Sequence, residues 1–158
     1  MSDSFEVIAA KLAENETNLS ELYALFAETF PEDAALWTEL SHDEQRHAAW
    51  ITAVSQSAAQ GGTVPLPSAA VRREAIETMI RYTRSVAERC RKGEMTRVQA
   101  HALACDFENS MLENRLFSAL SAGAAESRSL VEDLIDDTAR HRQRIRSALA
   151  TLRAPDRP

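Results

Sequence analysis

Glu44 and His47 stand one helical turn apart in the stretch Leu40-Ser41-His42-Asp43-Glu44-Gln45-Arg46-His47-Ala48-Ala49-Trp50-Ile51. On a helix, the apolar stripe through this stretch runs Trp37, Leu40, Glu44, His47, Ile51, Val54. A carboxylate and an imidazole therefore occupy positions where the 3.6-residue period calls for core side chains. Burying them without a partner costs several kcal/mol. A Glu-x-x-His pair directed into a helical bundle is one half of a carboxylate-bridged metal site. The other half is sought on other stripes of the chain. Glu16 interrupts Ile8, Leu12, Leu19, Tyr23, Phe26 and Phe30. Glu108 shares a face with Ala104, Met111 or Leu112, and Arg115. His141 follows Leu130, Leu134 and Asp137 or Thr138, and precedes Ile145 and Ala148. Glu14, Glu21 and Glu28 fall off their stripe and read as solvated.

Five helices are needed to carry these positions. Ser2 or Ser4 caps a first helix over 5–30. Phe30-Pro31-Glu32-Asp33 ends it and starts a second over 32–56, with Pro31 tolerated in a first turn. The linker 59–67, with Gly61-Gly62 and Pro65 and Pro67, cannot continue a helix. Ser68 caps a third helix over 69–92, with apolar side Val71, Ala75, Met79, Tyr82, Val86 and Cys90 and no acid or histidine on it. Gly93 is a helix stop. Thr96 and Gln99 have capping-box spacing and open a fourth helix to about 121. Gly123 breaks the chain before a last helix over 125–152. Residues 1–153 read as one domain and 154–158 as a frayed tail. Glu16 precedes His47 by 31 positions and Glu108 precedes His141 by 33. That internal two-fold repeat predicts that the inward polar groups meet at one level of a bundle.

The chain has 158 residues with 4 Gly and 5 Pro, which suits an all-α domain able to bury about two-thirds of its unfolded surface. A formal charge of −6 gives no general attraction to nucleic acid or membrane. Cys90 and Cys105 are too few for a disulfide framework and form no Cys-x-x-Cys pair. No signal peptide and no apolar run of ~18 residues is present, so the expected location is cytoplasmic.

The ordered set of Glu16, Glu44-x-x-His47, Glu108 and His141 resembles the rubrerythrin-like branch of the ferritin-like superfamily. The similar stretches are Leu22-Tyr23 and Phe26-Ala27-Glu28 after Glu16, then Trp37 and Leu40, Glu44-Gln45-Arg46-His47-Ala48, Thr96 to Ala104 leading to Glu108-Asn109-Ser110, and Asp137-Thr138-Ala139-Arg140-His141-Arg142. The likeness spans residues 5–150. It implies a ferritin-like four-helix bundle with an extra helix in the crossover between the second and third bundle helices. It also implies two iron ions that react with oxygen or peroxide, or oxidation of ferrous iron, and pairing of two copies as a homodimer. Manganese suits the same ligands. With no rubredoxin-like module, a catalytic site would need an external electron donor.

One position departs from the pattern, because Thr138 stands where the resemblance expects a fourth carboxylate. Three glutamates and two neutral histidines leave two divalent ions with excess positive charge in a low-dielectric core. Asp137 as a further ligand would restore balance, a single ion held by two acids and two histidines would come close to it, and a water or hydroxide held by Thr138 is a third alternative. Tyr23, two turns beyond Glu16, stands near the site and reads first as a packing residue. His101 reads as core or as support for Glu108, His42 as surface and Cys105 as a small buried residue. The arginines between Arg72 and Arg97 alternate with glutamates and read as a solvated face. The competing class is a metal-free or mononuclear helical scaffold for dimerisation or protein contact.

Overall fold

Local signals set the helix ends. Ser4 accepts a hydrogen bond from the Val7 amide and starts α1 (Phe5–Thr29). Pro31 stands at the head of a single 3-10 turn (Pro31–Asp33), and α2 (Ala34–Ala59) follows directly. α3 (Arg73–Arg91) ends in a Schellman motif: Gly93 has φ +71°, its amide bonds the Cys90 carbonyl, and the Glu94 amide bonds that of Arg89. The capping box is complete at the start of α4 (Arg97–Glu113). The Gln99 amide donates to Thr96 Oγ1 at 3.2 Å and the Thr96 amide to Gln99 Oε1 at 2.9 Å. α5 (Ala125–Arg153) completes the elements. These come from a computed structural model that describes residues 4–59, 73–113, 117, 120 and 125–154. The linker after Ala59, the Ser68 cap, Val71, Arg115, Gly123 and the end of the tail lie outside the described residues.

The described residues are helical, with no strand among them. α1 packs along α2 and α3, α4 packs along α5, and α2 meets α5 over a shorter stretch. Two apolar clusters fill the interior. One joins Phe5, Ile8, Leu12, Ile51, Ile76, Met111, Phe117 and Leu134. The other joins Leu19, Phe26, Trp37, Leu40, Val86, Ala104, Phe107 and Ile145. Every helix crosses from one cluster to the other, so α1, α3 and α5 run one way and α2 and α4 the opposite way. α3 thus returns the chain along the bundle between two parallel helices. None of the described helices is long and apolar enough to cross a membrane.

Between the clusters lies a buried polar layer drawn from α1, α2, α4 and α5. It holds Asn15 and Glu16 from α1, Glu44 and His47 from α2, Glu108 from α4, and Asp137, Thr138 and His141 from α5. The stripes expected for α1, α2 and α5 are those buried, apart from half-buried positions at their ends. On α3 the expected Val86 and Cys90 are buried, but over the first turns the expected face is off by about one residue. Ile76, Ile80 and Thr83 are buried there, whereas Ala75 is exposed and Tyr82 is 48% exposed. Two neighbouring stripes of this helix are both apolar, and the branched isoleucines take the core. Tyr82 lies instead against Phe107, ring centroids 5.5 Å apart.

Candidate metal centre

Glu44 is the hub of the polar layer. Its Oε2 is 2.9 Å from His47 Nδ1, one turn along α2, and its Oε1 is 2.8 Å from His141 Nδ1 across the bundle. Glu16 from α1 approaches the first histidine, with Oε2 at 3.6 Å from His47 Nδ1. Glu108 from α4 approaches the second, with Oε1 at 3.9 Å from His141 Nδ1. Two triads result, Glu16–Glu44–His47 and Glu44–Glu108–His141, each with ligand atoms within 4.8 Å of one another and all residues buried. The imidazole rings stack with centroids 5.5 Å apart.

The far side of each imidazole is held by a carboxylate from the opposite helix. Asp137 of α5 lies 3.2 Å from His47 Nε2, and Asp43 of α2 lies 3.1 Å from His141 Nε2. Each ring therefore donates Nε2–H outward and can present an Nδ1 lone pair inward, the carboxylate–histidine arrangement that orients metal ligands. Periodicity does not single out Asp43, since it lies off the buried stripe. The repeat carries the signal, because Asp43 and Asp137 each precede by one residue the paired positions 44 and 138. Asp137 stands on the outer nitrogen of His47 and belongs to neither triad. Thr138 is buried and donates its hydroxyl to the Leu134 carbonyl at 2.8 Å.

The remaining expected residues divide between site and core. Tyr23 does more than pack: its hydroxyl donates to Glu108 Oε1 at 2.6 Å. Asn15, which the pattern does not mark, is fully buried and donates to Glu16 Oε1 at 3.3 Å. His101 is a core residue against Trp37, ring centroids 4.6 Å apart, with Nδ1 donating to the Arg97 carbonyl. His42 is exposed, and Cys105 is half-buried rather than buried. Along the α3 surface Arg84 pairs with Glu14.

Proton affinities in the layer are strongly displaced. Burial pushes the Glu16 carboxyl well above its usual range. Burial and the neighbouring Glu44 charge push Glu108 up to about 8. Burial acts the same way on Glu44, but the close approach of the His141 and His47 imidazoles outweighs it and holds that carboxyl far down. Burial disfavours the imidazolium of His47, yet bonds to Glu16 and Glu44 prevail and raise it to about 10. His141 is raised in the same way, chiefly by Glu44 acting against burial. Without an ion, protons therefore do the neutralising work of a cation in this layer.

A divalent ion fits what the protons leave undone. Glu44 Oε1 and His141 Nδ1 are buried and close, yet neither makes a hydrogen bond of acceptable geometry. Buried polar atoms without such a partner are rare. Carboxylate oxygen with imidazole nitrogen suits iron, manganese or zinc. No protein-family model, curated protein or solved structure matches this chain.

Proposed function

We propose that this chain is a ferritin-like protein of the rubrerythrin-like type that holds two divalent ions, iron by preference, in the middle of its bundle. The observation that carries the reading is the pair of buried triads sharing Glu44. Glu16 and His47 would hold one ion, Glu108 and His141 the other, and Glu44 both. The helix directions support it: a chain that rises, falls, returns through α3 and then repeats the pair is the crossover arrangement of ferritin-like bundles.

Charge supports two ions despite Thr138. Glu16, Glu44 and Glu108, with Asp43 and Asp137 behind the histidines, supply five negative charges, and the solvent-exposed Arg46 and Arg140 against the aspartates return two. Two divalent ions bring that set to within one charge of neutral, so a fourth glutamate is not needed for near-neutrality. Iron in such a site supplies electron transfer to oxygen or peroxide, or is itself oxidised from the ferrous state. The chain's own part is to orient and exclude. Asp43 and Asp137 fix the imidazoles, the two apolar clusters keep bulk water from the layer, and Tyr23 holds a proton 2.6 Å from Glu108 Oε1. The reductant comes from outside the chain.

The test is titration of chelator-treated protein with ferrous iron under anaerobic conditions, followed by oxygen or peroxide. Two equivalents per chain and consumption of the oxidant are expected. One equivalent would reduce the site to a mononuclear one. No binding, with stability unchanged, would make the bundle a metal-free scaffold.

A further inference from the structure

Outside the ligands, one side chain touches both halves of the polar layer. Arg46, on α2 between Glu44 and His47, pairs through its Nη1 with Asp43 Oδ1, and its Nη2 lies 3.8 Å from Asp137 Oδ2. Those two carboxylates are the outer partners of His141 and His47 respectively. The guanidinium also sits 5.6 Å over the ring of Trp50, which lies 5.7 Å from His47. Isolated surface ion pairs contribute little, and Arg46 is itself 50% exposed. Its partners are not surface groups, however: Asp137 is 8% exposed, and both aspartates are committed to buried imidazoles. The planar fork of arginine can hold two carboxylates at once, which an ammonium cannot do as well.

We propose that Arg46 is a positioning residue that ties the two outer aspartates together, so that one cation orients both histidines and links ion binding in the two triads. The physical chain is short. Pulling Asp43 or Asp137 outward lengthens its bond to Nε2 and lets the ring turn. An Nδ1 lone pair is then no longer fixed on its ion. Because the guanidinium is shared, loosening one aspartate frees it to swing toward the other. Ion binding in one triad, which draws its histidine and aspartate inward, is thereby felt in the other. Arg140 is the internal comparison: among the described residues it pairs with Asp137 alone, and it is 70% exposed.

This inference rests on the metal-binding reading, and zinc serves as a redox-inert probe for both. Calorimetric titration of the chelator-treated chain with zinc gives the two stepwise affinities. Loss of an outer support for a metal-bound histidine commonly costs about 10- to 100-fold. Arg46→Ala is expected to weaken both steps by about that factor, and Arg46→Lys to restore less than the full loss. Arg140→Ala should affect at most the step that involves His47. A second readout is the Nε2–H protons of the zinc-loaded histidines by NMR. Both should exchange slowly in the unsubstituted chain and both faster in Arg46→Ala, with the melting temperature of the zinc-free protein little changed. Unchanged affinities in Arg46→Ala, or equal losses in Arg46→Ala and Arg140→Ala, would overturn the link while leaving the metal site standing. Failure of the unsubstituted chain to bind zinc or iron would remove the metal site and this inference with it.

Discussion

Replacing Glu44 with glutamine tests the centre of the site with a change of one atom. The amide keeps the shape of the side chain but removes the charge that lies 2.9 Å from His47 and 2.8 Å from His141. The two imidazoles, with centroids 5.5 Å apart, would then lose the anion that favours their charged forms. Keeping both rings charged at that distance would cost about 3 kcal/mol at an effective dielectric of 20. Removing one partner of a buried ion pair costs roughly 3–5 kcal/mol. For a chain of this size each kcal/mol moves the melting temperature by about 2–4 °C. Glu44→Gln should therefore melt roughly 6–20 °C below the unsubstituted protein without metal, near neutral pH. With metal the gap should widen. At 100 times its dissociation constant an ion adds about 2.7 kcal/mol of stability, and both triads lose their shared ligand. Differential scanning calorimetry with and without manganese reads both effects. Glu16→Gln and Glu108→Gln supply the contrast, because each touches one triad only. If Glu44→Gln binds two ions as tightly as the parent, or if Glu16→Gln is equally damaging to both steps, the shared-ligand geometry is wrong.

The same layer sets the response to pH and to smaller substitutions. Metal affinity should climb steeply between about pH 6 and 8, with proton release measurable by calorimetry in buffers of different ionisation enthalpy. The reason is that Glu16, Glu108, His47 and His141 hold protons an ion must displace. Without metal the trend reverses. The native His47 pKa of about 10 lies above the unfolded value near 6.5, so its contribution is full below that value and is lost as pH rises through 10. Glu108, raised to about 8 from 4.5, adds a decline between those values, and the metal-free melting temperature should fall from about pH 5 to 10, most steeply where the two windows overlap. Tyr23→Phe removes a buried donor from Glu108 and should cost about 1–3 kcal/mol in chemical denaturation. Thr138→Glu, placing a fourth acid in the layer, should tighten ion binding while lowering metal-free stability; an unchanged titration would mean that position 138 does not reach the ions. Gly93→Ala meets no atom within 4 Å but must adopt φ +71°, so a loss of about 1 kcal/mol with unaltered metal binding is expected.

Much of this arrangement is legible in the sequence because the site breaks a pattern. Glu16, Glu44 and His47 stand out only against the unbroken apolar stripes around them, and the stripes are unbroken because α1 and α2 bury one face against the core. The α3 face misleads for the opposite reason. Its two adjacent stripes, Ala75–Met79–Tyr82 and Ile76–Ile80–Thr83, are both compatible with burial, and no polar interruption distinguishes them. Helix ends are readable wherever a side chain bonds its own backbone, as at Ser4, Thr96 and Gln99, or where Gly93 alone accepts a positive φ. Long-range pairings are not. That Tyr23 reaches Glu108, or that Asp43 crosses to His141, depends on which helices become neighbours, and periodicity along one helix carries no such information.

The crossing of the aspartates explains how the layer tolerates Thr138. In α2 the sequence Asp43-Glu44-x-x-His47 places an inner acid and an outer acid on successive residues, about 100° apart around the helix. In α5 the matching positions are Asp137 and Thr138, so the outer acid is retained and the inner one is not. An inner acid in α5 would bring one more charge into a layer where Glu16 and Glu108 are already pushed toward their neutral forms. Thr138 turns its hydroxyl back to Leu134 and adds no charge and no unsatisfied donor. The outer acid cannot be given up so easily, because without Asp137 the Nε2 of His47 would be a buried donor with no acceptor and its ring would be free to turn. The asymmetry between positions 137 and 138 is thus what a site would show if orienting its histidines mattered more than saturating its ligand sphere. Asp137→Ala should accordingly damage ion binding at the His47 triad by about 10- to 100-fold. Thr138→Ala, which removes no charge and no ligand, should leave both affinities within about twofold of the parent.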